Sequence, residues 1–143
     1  TVYGEDGDKP HLATAQTKAV DEVVPVDYKI HGCPIEKTEF ISILKALLMG
    51  KTPEVPNYPV CVECKSKGNT CLWETGQICL GPIIRAGCGA RCPSAGFRCF
   101  GCRGYVDEPN VNAAKDVIDK YRLDIDDLKN KMHLFGSKQE PTI

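Results

Sequence analysis

At 143 residues the chain has ordinary single-domain size, but its 42% hydrophobic content is spread around thirteen glycines and ten prolines, which leaves little material for one large core. A formal net charge of −1 and a pI near 6.3 supply no cationic surplus for a nucleic-acid backbone or an anionic membrane surface, so a protein or small-molecule partner is favoured. No stretch reaches the roughly 20 apolar residues that span a bilayer; the longest run, from Phe40 to Met49, is broken by Ser42 and Lys45.

The chain opens on Thr1-Val2-Tyr3-Gly4, neither an initiator methionine nor a signal peptide, and reads as a piece of a longer protein. Residues 1–27 predict loop with one short helix around Ala13 to Val20. Val26-Asp27-Tyr28-Lys29-Ile30 alternates at period two and predicts a strand, ending in a turn at His31-Gly32-Cys33-Pro34 that presents Cys33 at its tip. Phe40, Ile43, Leu44, Leu47 and Leu48 then fall at helical spacing, with Glu36 and Glu39 near the front and Gly50 as the stop.

Three prolines between Thr52 and Pro59 predict an extended linker and a domain boundary near residue 58. Residues 60–104 carry no persistent period, and cross-links or metal must supply their order. Periodicity returns with Val111, Ala114, Val117, Ile118 and Tyr121, which predict one helix face. After Asp124 as N-cap, Ile125, Leu128, Met132 and Phe135 predict another, closed by Gly136, with a frayed tail from Ser137.

The nine cysteines fall as one, four and four: Cys33 alone, then Cys61-x2-Cys64-x6-Cys71-x7-Cys79, then Cys88-x3-Cys92-x6-Cys99-x2-Cys102. A disulfide framework would need an oxidising compartment, an export signal and preferably an even count. Structural zinc is an alternative for the CxxC pairs Cys61/Cys64 and Cys99/Cys102, but a second CxxC pair completes neither quartet. Iron–sulfur clusters accept thiolates from irregular glycine-rich loops, because backbone amides must turn toward the cluster sulfurs and small residues permit the approach. Gly81, Gly87, Gly89, Gly96, Gly101 and Gly104 suit that need, as do the Cys-Pro pairs at Cys33 and Cys92, and two [4Fe-4S] clusters fit best.

Other residues carry weaker signals. Trp73 reads as packing that excludes water, and His31, beside Cys33, as a turn or capping residue with a lesser claim to tune a cluster. His11 and His133 carry none. Arg85, Arg91, Arg98 and Arg103 punctuate the cysteine loops, suited to neutralising anionic clusters and, secondarily, to docking an anionic carrier. Asp124 to Asp127 is ordinary helix N-terminal chemistry. No nucleophile–base pair, phosphate-cradling loop or dinucleotide fingerprint is present, so the chain predicts a conductor of electrons, with the chemistry housed elsewhere.

Gly32-Cys33-Pro34, a helix, Cys61-x2-Cys64, Cys71-Leu72-Trp73-Glu74, Cys79-Leu80-Gly81-Pro82, Cys88-Gly89-Ala90-Arg91-Cys92-Pro93 and Cys99-Phe100-Gly101-Cys102-Arg103-Gly104 occur in that order. This run, from about Val26 to Phe135, resembles the carboxy-terminal half of the small subunit of a cytosolic [NiFe] hydrogenase, of the sulfhydrogenase delta and methyl-viologen-reducing types. The resemblance implies an α+β fold with little regular structure: residues 1–58 as the tail end of a flavodoxin-like α/β domain, and 59–143 as a two-cluster iron–sulfur domain flanked by short helices.

It implies that Cys33 is the last ligand of a proximal cluster whose other three ligands lie outside this sequence. Cys61, Cys64, Cys71 and Cys79 match the distal cluster, and Cys88, Cys92, Cys99 and Cys102 the medial one, Cys88 lying at the junction of the two quartets. Periplasmic relatives often have histidine at the position of Cys61 and three cysteines at the medial site. All-cysteine ligation here implies four-iron clusters toward the low end of the roughly −700 to +450 mV range. The implied partners are a large subunit with the nickel–iron site and a flavin-containing diaphorase, ferredoxin-like protein or heterodisulfide reductase, in the cytoplasm. A single-cluster electron carrier of a quinone oxidoreductase and a zinc scaffold remain the rival readings.

Overall fold

The computed structural model describes residues 18–132 and Phe135. It is made of short helices joined by long loops: α1 Val20–Val23, α2 Lys37–Leu48, α3 Val60–Ser66, a 3-10 turn Leu72–Thr75, α4 Arg91–Ser94, α5 Val111–Tyr121 and α6 Ile125–Met132. The expected helix around Ala13 to Val20 has only its end within the described residues, where α1 starts. His11, His133, Gly136 and the tail from Ser137 lie outside them.

The α2 helix forms where its apolar period predicts, with Glu39 in the first turn facing the positive end of the helix dipole and Gly50 at φ 67° after its last turn. It buries only Ile43, while Phe40, Ile41, Leu44 and Leu47 are each about 40% exposed. Asp124 caps α6 as expected, its carboxylate accepting the Asp126 N–H at 2.9 Å. Of the expected apolar faces, Ile118, Leu128 and Met132 are buried, with Val117 and Tyr121 packed beside them.

Two expectations are corrected. Val26–Ile30 forms no strand; among the described residues β pairing consists of two isolated antiparallel bridges, Pro59 with Arg85 and Ile84 with Tyr105. Period two needs a neighbouring ladder to become a strand, and Val26 is instead left 39% exposed. The α+β expectation thus reduces to helix and loop with two bridges. In the region without a persistent period, α3 runs for seven residues with Pro59 as N-cap, whose missing N–H costs nothing at a helix start.

The bridges organise the interior. Val60 N–H donates to Ile84 O at 2.8 Å, Ala86 N–H to Tyr58 O at 2.8 Å, Arg85 N–H to Gly104 O at 3.0 Å and Val106 N–H to Ile83 O at 3.1 Å. The Ile83–Ala86 segment is thus held from both sides. Around it pack Val60, Leu72, Trp73, Leu80, Ile118 and Leu128, and each fully buried Leu or Ile contributes about 2 kcal/mol. Cys79 and Cys99 belong to this same core, which seats the sulfur chemistry inside the apolar interior.

Candidate metal centre

The first four thiols come from three local structures. Cys61 and Cys64 stand three apart on α3 and so share one face, Cys71 caps the 3-10 turn, and Cys79 follows the turn made by Gly76 at φ 76°. They meet. Burial first, then the neighbouring thiols Cys79, Cys64 and Cys71, push the Cys61 thiol from its ordinary 9.0 up to about 12. Gly81 is fitted to the group: a Cβ there would lie 3.1 Å from Cys61 Sγ and 3.5 Å from Cys79 Sγ.

The second four are carried by the Gly87–Ala90 loop, α4 and the Cys99–Cys102 turn. Burial raises the Cys99 and Cys92 thiols; Cys99 is further raised by Cys79, Cys88 and Cys102, and Cys92 by Cys102, Cys88 and Cys33. Cys33, in the turn that the sequence predicts, therefore lies against this group. Five thiols, Cys33, Cys88, Cys92, Cys99 and Cys102, line one cavity of about 40 Å³, walled by Val60 and Ile84. Among the described residues, no three His, Cys, Asp or Glu side chains converge closely enough to hold a single metal ion.

Backbone donors are aimed at the sulfurs. Cys99 N–H reaches Cys79 Sγ at 3.1 Å, Gly81 N–H also bonds Cys79, Gly101 N–H bonds Cys99, and Cys33 N–H bonds Cys102. Each such bond lowers the pKa of its thiol against the rise from burial, because it favours the thiolate. Asn69 adds a side-chain donor, its Nδ2 lying 3.7 Å from Cys64 Sγ and 3.0 Å from Ser94 Oγ.

Sequence reasoning missed Glu63. Its carboxylate accepts Gly87 N–H at 2.8 Å on Oε1 and Ala90 N–H at 3.0 Å on Oε2, tying the Cys88 loop to the helix that bears Cys61 and Cys64. The signal was an acid placed inside a CxxC pair. Lys67 Nζ donates to Gly89 O of the same loop. The four arginines of the cysteine loops are held elsewhere than on the sulfurs: Arg85 by Asp107, Arg91 by Glu36, Arg103 by Glu39, and Arg98 over the Phe100 ring at 5.0 Å.

Trp73 is 3% exposed in the core, with its Nε1 unpaired, and packs as expected. His31 has its imidazole 3.8 Å from where a Gly104 Cβ would lie, and its pKa is lowered by burial, then by Lys29, Arg85 and Arg103. A larger hollow of about 530 Å³, lined by Asn57, Pro59, Val106, Asp107 and Glu108, contains no thiol. No helix among the described residues is long and apolar enough to cross a membrane.

Two groups of neighbouring thiols, with Cys33 beside the second, define a cysteine-rich domain whose buried sulfurs are met by hydrogen-bond donors. No protein-family model matches the chain. It is 38% identical over 136 residues to the delta subunit of sulfhydrogenase 2 from Pyrococcus furiosus, an alignment covering 94% of the chain and 56% of that subunit. To the vhu G subunit of the F420-non-reducing hydrogenase of Methanocaldococcus jannaschii it is 38% identical over 109 residues, 64% of the chain and 38% of the relative. An Archaeoglobus profundus relative, the iron-sulfur G subunit of an F420-non-reducing hydrogenase, is 31% identical over 119 residues, 64% of the chain and 37% of its own length. The chain is a homologue of these hydrogenase delta and G subunits, and spans about half the length of the first of them.

Proposed function

We propose that this chain is the electron-transfer portion of a cytoplasmic [NiFe] hydrogenase. Cys61, Cys64, Cys71 and Cys79 hold one [4Fe-4S] cluster, Cys88, Cys92, Cys99 and Cys102 hold a second, and Cys33 donates to a third whose other ligands lie outside this sequence. Residues 1–58 belong with that outer, flavodoxin-like part, and 59–143 form the two-cluster domain. The partners are a large subunit with the nickel–iron site and a flavin-containing or iron–sulfur acceptor.

The observation that carries this reading is the Cys99 N–H to Cys79 Sγ bond of 3.1 Å, which joins the two groups of thiols inside the core. Iron–sulfur clusters take thiolate ligands, and hydrogen bonds to their sulfurs and burial set their potentials. The donors on Cys79, Cys99 and Cys102 and the open approach at Gly81 fit that chemistry. The names of the relatives agree with it.

When bound, such clusters supply one-electron storage and transfer. The chain's own residues bind them, exclude water through Trp73, Leu80, Ile83 and Ile84, and fix the two sites next to each other. The test is to expose the anaerobically purified complex to H2 and follow its paramagnetic signals. Reduction of several centres, with Cys64→Ala removing one and Cys92→Ala another, supports the proposal. A chain that purifies without a hydrogenase large subunit, and whose iron signals ignore H2, sinks it.

A further inference from the structure

Arg103 is 3% exposed, the one charged residue buried among those described. Burying a guanidinium is costly unless its donors are all engaged. Its Nε donates to Ala86 O at 2.7 Å, its Nη1 to His31 O at 3.3 Å and Glu39 Oε2 at 2.6 Å, and its Nη2 to Glu39 Oε1 at 2.5 Å. The fork on Glu39 is bidentate, the geometry that lysine cannot reproduce.

Two of these partners and Arg103 itself lie on three cysteine-bearing segments, while Glu39 reaches in from α2. His31 precedes Cys33 by two residues, Ala86 precedes Cys88 by two, and Arg103 itself follows Cys102. A Cβ at Gly87 would fall 2.5 Å from Nη2, so glycine is required for the guanidinium to sit beneath the Cys88 loop. Arg103 lines the same cavity as Cys88, Cys92, Cys99 and Cys102, and Glu39 is its counter-charge.

Reduction adds one electron to a thiolate-ligated cluster and makes it more anionic, with no covalent bond made or broken. A buried cation beside it favours that electron, and a carboxylate beside the cation opposes it. We infer that Arg103 and Glu39 form a tuning pair for the second quartet, an inference that rests on the iron–sulfur reading above. Arg103 raises the tendency of the Cys88, Cys92, Cys99 and Cys102 site to accept an electron. Glu39 positions the guanidinium and limits that effect.

The test is a redox titration of the purified complex with dithionite and ferricyanide, followed by electron paramagnetic resonance. Glu39→Gln raises the reduced-to-oxidised ratio of the second-quartet centre about tenfold at fixed potential, equivalent to about 59 mV for one electron. The first-quartet centre moves less than twofold. Arg103→Gln shifts the second centre in the opposite direction, and Arg103→Lys, which keeps the charge, stays closer to wild type.

A role in folding alone predicts cluster loss without these opposed signs. The proposal is overturned if Glu39→Gln lowers the ratio or leaves it unchanged, or if both centres move equally. Should Arg103→Gln fail to load, the direction of the Glu39→Gln shift decides. A wild-type complex without acid-labile sulfide would instead overturn the iron–sulfur reading itself.

Discussion

The backbone N–H of Cys99 donates to Cys79 Sγ across 3.1 Å, and both residues are buried. The contact is reinforced one residue on, where Leu80 N–H donates to Cys99 O at 3.2 Å. One hydrogen bond and the three covalent bonds N–Cα, Cα–Cβ and Cβ–Sγ of Cys99 therefore separate the sulfur of one group from a sulfur of the other. Proximity of this kind is what a relay between two buried centres requires, and it sits within the apolar core.

Gly81 is where the first quartet is most easily broken without touching a ligand. A Cβ 3.1 Å from Cys61 Sγ forces one thiol aside. Gly81→Ala is expected to remove about half of the bound iron, roughly four of eight per chain, while circular dichroism stays unchanged. Iron and sulfide analysis of the variant checks it; full loading would contradict the cradle.

Glu63 accepts two N–H groups of the Cys88 loop, and charge-assisted bonds are worth about 1.5–3 kcal/mol each when desolvated. Partial exposure reduces the sum, so Glu63→Ala is expected to cost about 2 kcal/mol in urea unfolding. Glu63→Gln keeps one acceptor and should lose about half of that. A neutral outcome for Glu63→Ala would mean that the loop is held elsewhere.

The cluster-free chain should lose stability in alkali. The Cys61 thiol is raised from 9.0 to about 12, so the folded chain holds this proton more tightly than the unfolded chain does. That contribution is complete below about pH 9 and is lost as pH rises from about 9 to about 12. Cys79, Cys92, Cys99 and Cys102 are raised as well and act with the same sign. A denaturant midpoint that falls across this window is the expected result. Metal loading replaces the protons, so the loaded chain should be destabilised on the acid side instead.

Trp73 serves as packing, so volume matters more than the indole N–H, which has no partner. Trp73→Ala is expected to cost about 3–5 kcal/mol, and Trp73→Phe about 1 kcal/mol, since losing an unsatisfied donor offsets part of the lost contact. Thermal melts of the two variants separate the effects. A cost for Trp73→Phe as large as for Trp73→Ala would contradict the packing role.

What the sequence made legible follows the length scale of each signal. The α2 and α5 helices and the Asp124 cap are local patterns of apolar spacing and polar capping, and all three stand where they were expected. The α3 helix hid because a seven-residue segment with two cysteines has too few apolar positions to establish a period. Val26–Ile30 misled because alternation describes one strand, whereas a sheet requires two. The nine cysteines announced the candidate site, but the Glu39–Arg103 fork joins residues 64 apart, and no local pattern encodes such a pair.

Iron and acid-labile sulfide content tests the central claim most directly. The account predicts about eight irons and eight sulfides per chain from the two quartets, with further iron wherever Cys33 completes its own cluster. About two zinc ions per chain and no labile sulfide would contradict it.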